Sequence, residues 1–348
     1  MHTRVLVVGA GFSGAVVSRE LAEAGFHVDV IDKRGHIGGN AWDHTNQHGI
    51  RIHRYGPHLF HTNNERVFEW MSRFTGWIPY KHKVKAMLSD GRLVILPVNR
   101  ETRAIVGEDR LIETMVRPYS EKMWGMPLES LDPQVLKRVP FRDDDNEYYF
   151  PNDRFQFMPK DGYARLFMNV FDHPGICISL ETPFLRQMEK EYDHVFNSMP
   201  IDEYYGFRFG ELPYRSIRFH HVDLPMPRLF DVSQVNFTHN GPFTRIVEWK
   251  NMPGHGQNNL YTSLTYEEPC DYRDNHMERY YPVKDVEGIN RQLYARYASI
   301  HNPKVTFMGR LGLYAYLDMH QCVSAALKLA QDFIESKAGE WRNVRSVS

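Results

Sequence analysis

The stretch VLVVGAGFSG at 5–14, continued by AEAGFHVDVIDKRGHIGGN at 22–40, decides the fold. Val5, Leu6, Val7 and Val8 form a short apolar run with the β-branched bias of a strand. Gly9, Gly11 and Gly14 follow at the spacing of a tight turn, 15–24 reads as a helix, and Gly25 ends it. A second strand over 27–31 then delivers Asp32. In this layout a glycine turn and a helix N-terminus bring backbone N–H groups to a pyrophosphate, and the acid accepts from a ribose hydroxyl. Glycine spacing of this kind also recurs in ordinary βα turns. Its place between strand and helix, with the acid at the end of the next strand, points to a dinucleotide. HIGGN at 36–40 then favours FAD over NAD, because many FAD proteins set a second glycine pair against the dinucleotide just after the acid. The cofactor contacts expected here are Gly9, Gly11, Phe12, Ser13, Gly14, Asp32, Lys33, Gly39 and Asn40.

At 348 residues the chain has room for two or three domains. Its 42 basic and 43 acidic residues balance, so no global field recruits nucleic acid or a membrane surface, and an anionic ligand must be held by local arginines. Cys177, Cys270 and Cys322 are odd in number, far apart and in no metal spacing, which points to reduced thiols in a cytoplasmic protein. The 18 histidines make no HExxH-like pair, and no metal site is expected. The apolar runs fall short of the roughly 20 residues of a membrane span, so the expectation is a soluble, unprocessed chain.

Beyond residue 40 the sequence is polar and aromatic with glycine breaks, suiting loops and short strands over a cofactor. His58 and His61 flank Leu59 and Phe60; either a structural or a flavin-facing role is open to each, with His58 the stronger flavin candidate. The spacing predicts a helix over 64–74 with Val67, Trp70 and Met71 inward, and a hairpin over 81–97 turning at Asp90-Gly91. A helix over 108–123 is expected to face Leu111, Ile112, Met115 and Val116 inward, interrupted at Pro118. Arg138 and Arg142 read alone as a solvated face, but Tyr148, Tyr149, Phe150, Phe155 and Phe157 nearby suggest a ligand groove. Strand patterning resumes near 192, over 201–222 and over 233–250, and 288–299 is an amphipathic helix. Strand 305–308 and a helix from Asp318, with Val323, Ala326, Leu327, Ala330, Phe333 and Ile334 at helical period, close the chain. That helix either covers the sheet or also aims its positive end at a flavin ring.

GGNAWD at 38–43, IHRYGPHLFHT at 52–62, RPYSEKMWG at 117–125, KRVPFR at 137–142, LPYRSIRF at 212–219, FTRIVEWK at 243–250 and GRLGLYAYLDMH at 309–320 strongly resemble the UDP-galactopyranose mutases, in order and over nearly the whole chain. The resemblance implies an α/β fold: a Rossmann-like FAD-binding domain, a helical domain and an antiparallel β-sheet substrate domain. It implies isomerisation of UDP-galactopyranose and UDP-galactofuranose on reduced FAD, through a flavin N5–sugar adduct, with no net redox. An external reductant for the flavin is implied with it. Carried over by motif, Arg138 is a mobile-loop arginine that closes on the diphosphate, and Arg245 is a second diphosphate arginine; with His58 they are the catalytic candidates. Tyr149, Tyr281 and Tyr316 match phosphate-binding tyrosines, Trp124 the tryptophan beside the substrate, and Asn236 a sugar-site asparagine. Tyr119 and Ser120 match positions near the uracil, the latter usually threonine, while Arg310, Asp318 and Met319 border the flavin. A mutase for another nucleotide hexose, such as a dTDP-6-deoxy sugar, keeps the same arginines.

The departure from the family lies between LPV at 95–97 and RPYSEKMWG, where a long helical insertion is reduced to some twenty residues. The helical domain is therefore expected to be small, over 100–143, and the oligomer a monomer or a homodimer. The division reads 1–78, 188–208 and 300–340 as the FAD-binding domain, and 79–99, 144–187 and 209–299 as the substrate domain.

Overall fold

The computed structural model describes residues 3–133 and 141–346. The opening apolar run is the strand Arg4–Val8, with Val5, Leu6 and Val7 sealed from solvent. A parallel strand between two layers is buried on both faces, which is why this run lacks alternation. It lies at the centre of a parallel sheet ordered Ile176–Ser179, His27–Ile31, Arg4–Val8, His194–Asn197, Val305–Phe307. The helix Phe12–Glu23 packs against the C-terminal helix Met319–Ser346. Ala15, Val16, Val17 and Leu21 share one core cluster with Val323, Ala326 and Leu327, each closed Val or Leu side chain contributing about 1.5–3 kcal/mol.

The helix Gly162–Phe171 joins the same cluster. Its first turn is held by Asp43, whose carboxylate accepts from the N–H groups of Tyr163 at 2.7 Å and Ala164 at 2.8 Å. The aspartate of GGNAWD is thus tied to a helix terminus. Gly162 has φ +84°, and a Cβ there would come 2.5 Å from Asp43 Oδ2. Within the stretch 144–187 read as substrate domain, the helix Gly162–Phe171 and the strand Ile176–Ser179 belong to this layer instead. Ile176–Ser179 pairs in parallel with His27–Ile31, because the helix before it packs on the Rossmann-like core and returns the chain to the sheet edge.

The second layer is a seven-stranded sheet ordered Tyr281–Pro282, Tyr214–Leu224, Thr262–Asp271, Arg245–Glu248, Gln234–Phe237, Val84–Met87, Leu93–Leu96. It is antiparallel except where Gln234–Phe237 runs parallel to Val84–Met87. The hairpin expected over 81–97 forms, with Gly91 at φ +86° donating to Leu88 O at 3.0 Å. The helix expected over 64–74 is Glu65–Ser72, with Val67, Trp70 and Met71 buried.

The helical segment is Arg100–Val106, a 3₁₀ turn, a π-helical turn Ile112–Val116, then Arg117–Trp124. Leu111, Met115 and Val116 are buried as expected; Ile112 is 45% exposed. The wider π-turn breaks the 3.6 period on which its inward assignment rested. Pro118 lies in the first turn of the last helix, where a missing N–H costs little. The segment packs on the hairpin through Val84, Ala86, Val94 and Leu96.

Candidate active site

The glycine turn is built by close contact. Gly9 has φ +100°, and a Cβ on Gly14 would sit 1.8 Å from Gly9 O. The helix that follows begins without a side-chain cap, so its first N–H groups are left for a ligand. The second glycine pair folds onto the first: Gly38 N–H donates to Ala10 O at 2.8 Å, and a Cβ on Gly39 would come 3.0 Å from Gly11 Cα. Asp32 is held at its mouth, accepting from Ala10 N–H at 2.8 Å and Arg34 N–H at 2.9 Å.

These groups line a cavity of about 300 Å³. Gly9, Gly11, Phe12, Ser13, Gly14, Asp32, Lys33, Gly39, Asn40, His58, Arg310 and Met319 all lie on its wall. Asp318 does not; its carbonyl accepts from Cys322 N–H at 2.9 Å at the start of the C-terminal helix. Arg34, Glu203, Glu278, Arg279 and Cys322 also line the cavity, and no local motif points them there. Arg279 gives Nη1 to Glu203 at 2.7 Å, while its buried Nε and Nη2 have no hydrogen-bond partner among the described residues. A glycine cradle, an uncapped helix end and orphaned guanidinium donors suit an anionic, acceptor-rich dinucleotide.

His58 donates from Nδ1 to Gly56 O at 2.9 Å, and burial lowers its pKa to about 4. It stays neutral at ordinary pH. His61 is a structural histidine instead: Nδ1 lies 2.6 Å from Asp153 Oδ2, and the ring stacks on Phe150 at 3.6 Å.

The adjoining face belongs to the seven-stranded sheet. Asn236, Arg245, Glu267 and Phe219 are successive cross-strand partners, so their side chains share one face. Arg245 Nε donates to Glu267 Oε2 at 2.5 Å; the arginine side chain is 21% exposed and the glutamate 1%. Burial raises the Glu267 carboxyl against the pull of Arg245, whose own pKa is held above its ordinary value by Glu267 despite burial. Tyr119, Trp124, Tyr149, Tyr281 and Tyr316 gather beside this row in one cluster with Phe219 and Ile217. Tyr281 stacks on Tyr316 at 5.1 Å, and the Arg310 guanidinium lies 5.4 Å and 5.2 Å from the two ring centres. Burial raises the pKa of Tyr119 and Tyr281, so their hydroxyls remain neutral donors. Arg310 thus belongs to both halves, cavity wall and aromatic cluster.

Asn236 Oδ1 accepts from Gln234 Nε2 at 2.9 Å, and Ser120 is buried in the helix Arg117–Trp124. Arg138 lies outside the described residues. Arg142 is a loop organiser, donating to the carbonyls of Tyr148 at 2.8 Å and Asn146, and it pairs with Asp144. Glu267 was not singled out because it is far from Arg245 in sequence and becomes its neighbour only through strand pairing.

Residues 114–316 match the family model of UDP-galactopyranose mutase, more than half of the chain, and 7–74 match a NAD(P)-binding Rossmann-like domain. The chain belongs to the UDP-galactopyranose mutase family. It is 34% identical to a probable UDP-galactopyranose mutase of Klebsiella pneumoniae, covering 97% of each chain. It is also 34% identical to a dTDP-fucopyranose mutase of Escherichia coli, covering 96% of this chain and 99% of the relative. A crystal structure of reduced UDP-galactopyranose mutase superposes with a TM-score of 0.72 over 96% of each chain at 14% identity, a likeness of fold. The Klebsiella alignment runs over 382 positions against 348 residues here, as a shortened member of the family requires. No helix among the described residues is long and apolar enough to cross a membrane.

Proposed function

We propose that the chain interconverts UDP-galactopyranose and UDP-galactofuranose, with the cavity holding FAD and the sheet face holding the nucleotide sugar. The observation that carries this reading is the junction at Arg310, which joins the dinucleotide cradle to an arginine and tyrosine face suited to a diphosphate. When bound and reduced, FAD supplies a nucleophile for the anomeric carbon and ends in the oxidation state in which it began.

The side chains divide the remaining work. Arg245, braced from behind by Glu267, presents its outer edge to the diphosphate, where planar N–H donors bind phosphate oxygens. Tyr149, Tyr281 and Tyr316 add hydroxyl donors, and the motif resemblance assigns Arg138 to the same group. Together they stabilise the charge that builds on departing UDP, help of the kind worth about 2.7–4 kcal/mol per well-placed donor. Tyr119 and Ser120 flank the base, Trp124 covers the substrate and Asn236 meets the sugar. His58 enters uncharged, as an acceptor at the cavity wall.

The same machinery serves a dTDP-6-deoxy sugar, a second reading favoured by the equal identity to the dTDP-fucopyranose mutase. The test is to incubate the protein with UDP-galactofuranose, with and without dithionite, and to resolve products by chromatography. Conversion that requires reduction is expected, and Arg245→Ala should nearly abolish it while the protein stays yellow. Conversion indifferent to reduction refutes the flavin mechanism; conversion of dTDP-fucose alone moves the assignment to the second reading.

A further inference from the structure

Behind His58 lies a pair of buried histidines that the substrate site does not use. His53 Nδ1 accepts from the backbone N–H of His58 at 3.1 Å, and His53 Nε2 lies 3.0 Å from His255 Nε2. His255 Nδ1 lies 2.9 Å from Pro253 O, and His58 Nδ1 lies 2.9 Å from Gly56 O. Hydrogen-bond accounting leaves one arrangement for three neutral rings. A carbonyl only accepts, so His255 and His58 each carry a proton on Nδ1. A backbone N–H only donates, so His53 is bare at Nδ1 and protonated at Nε2. That proton points at the bare Nε2 of His255, and the chain closes without conflict.

Adding a proton to either member of the buried pair is opposed. On His53 it would face the His58 N–H, and on His255 it would face the His53 Nε2–H. The groups around the rings reinforce this. Arg51 lies on the side of His53 and His255, Arg245 and Arg310 on the side of His58, Trp249 packs against both His53 and His255, and Tyr163 packs edge-on to His53 and His58. Burial lowers all three pKa values, to about 4 for His58 and for His255. His53 and His255 are 0% and 1% exposed. Among the described residues one nitrogen of the three rings remains uncommitted, Nε2 of His58, and His58 lines the cavity beside the glycine turn.

We propose that His53 and His255 are positioning residues that pin the backbone of His58 while Gly56 fixes its ring, so that a bare Nε2 acceptor meets the group in the cavity. The group that meets it must be a hydrogen-bond donor. This rests on the cavity being the cofactor site of the proposed mutase. The relay is assembled from two distant loops, 53–58 and 253–255, which explains why His255 matters to a residue it does not touch.

The test is long-range ¹H–¹⁵N correlation NMR of the full-length protein as purified, with ¹⁵N-labelled histidine, between pH 5 and 8. Expected are neutral rings throughout, with Nδ1–H on His58 and His255 and Nε2–H on His53. A His58 that is Nε2–H, or charged at pH 6, overturns the proposal. Two variants follow. His255→Gln offers an amide oxygen to the His53 Nε2–H, whereas His255→Leu offers nothing. The Leu variant is expected to shift the His58 amide and ring signals and lower kcat on the order of 10-fold with KM little changed, since small misplacements at a reacting centre are costly. The Gln variant is expected to restore both. Unchanged His58 signals and kcat in the Leu variant also overturn the proposal; should that variant not fold, the tautomers of the unaltered protein still decide. An inactive protein with the expected tautomers refutes only the mutase reading, and an active one with reversed tautomers refutes only the relay.

Discussion

Replacing Glu267 by Leu tests the brace behind Arg245. The carboxylate is 1% exposed and receives Arg245 Nε at 2.5 Å, while the arginine keeps 21% exposure toward the open side. Removing one partner of a buried ion pair costs about 3–5 kcal/mol, because the remaining charge is stranded. Here the guanidinium retains some solvent, so the expected loss is near the lower end, about 3 kcal/mol. In a chain of this size, with an unfolding entropy of about 0.7 kcal/mol/K, that corresponds to a fall in Tm of about 4 °C. The freed guanidinium also loses its fixed aim, and kcat/KM should drop on the order of 10²-fold, as when one oriented donor is removed from a charge-stabilising site. Glu267→Gln keeps an acceptor oxygen and forfeits only the charge assistance, about 1 kcal/mol, or a fall of about fivefold. Thermal unfolding and UDP-galactofuranose turnover measure the two effects separately. If Glu267→Leu melts within about 1 °C of the unaltered protein and keeps kcat/KM within about twofold, Glu267 does not brace Arg245 and the reasoning fails.

Other outcomes follow from the same geometry. Gly14→Ala places a Cβ 1.8 Å from Gly9 O, which the turn cannot absorb, so the protein should purify without flavin absorbance while Gly25→Ala, with open space at its Cβ, should retain it. Lys122 donates to the carbonyls of Phe237 at 2.9 Å, His239 at 2.7 Å and Phe243 at 2.9 Å, and burial lowers its pKa to about 8. Lys122→Met strands those carbonyls next to the strands that carry Asn236 and Arg245, and a stability loss of about 1–3 kcal/mol is expected by denaturant titration. His58, His194 and His255 have folded pKa values lowered by burial to about 4, and His82 to about 3. A lowered histidine pKa contributes stability that is present above the unfolded value of about 6.5 and lost as pH falls towards 4. Unfolding free energy should therefore fall below pH 6.5 by up to about 1.4 kcal/mol per pH unit for each such group, and a flat profile from pH 7 to 5 would contradict their burial.

The Rossmann-like half was legible because its signals are local. Val5 to Val8, the three glycines and Asp32 all fall within the one short stretch 5–32, and Gly9 and Gly14 meet inside a single turn. The arginine and tyrosine face was legible by motif resemblance, and the structure gathers Tyr119, Trp124, Tyr149, Tyr281 and Tyr316 into one cluster. What escaped was set by pairing over long distances. Glu267 meets Arg245 through strand register, and Arg279 reaches the cavity beside Glu203, a partner 76 residues away. The strand Ile176–Ser179 was given to the wrong domain because a short, half-exposed edge strand carries little pattern of its own. Ile112 was turned inward on an α-helical period that the π-turn does not keep.

The central sheet draws its five strands from residues as far apart as 4 and 307. Its cavity is walled on one side by residues near the start of the chain and on the other by Gly309, Arg310, Met319 and Cys322. During synthesis the glycine turn emerges first, yet it has no opposite wall until the last strand and the long helix arrive. Contacts of such sequence separation are slow to form, because loop closure must precede the reward. With the proposed flavin in this cavity, its capture becomes a late event that only an essentially full-length chain can perform. The yellow colour of the purified protein would then serve as a register of completed synthesis and folding, and a chain truncated before residue 305 should be colourless however well its first forty residues are formed.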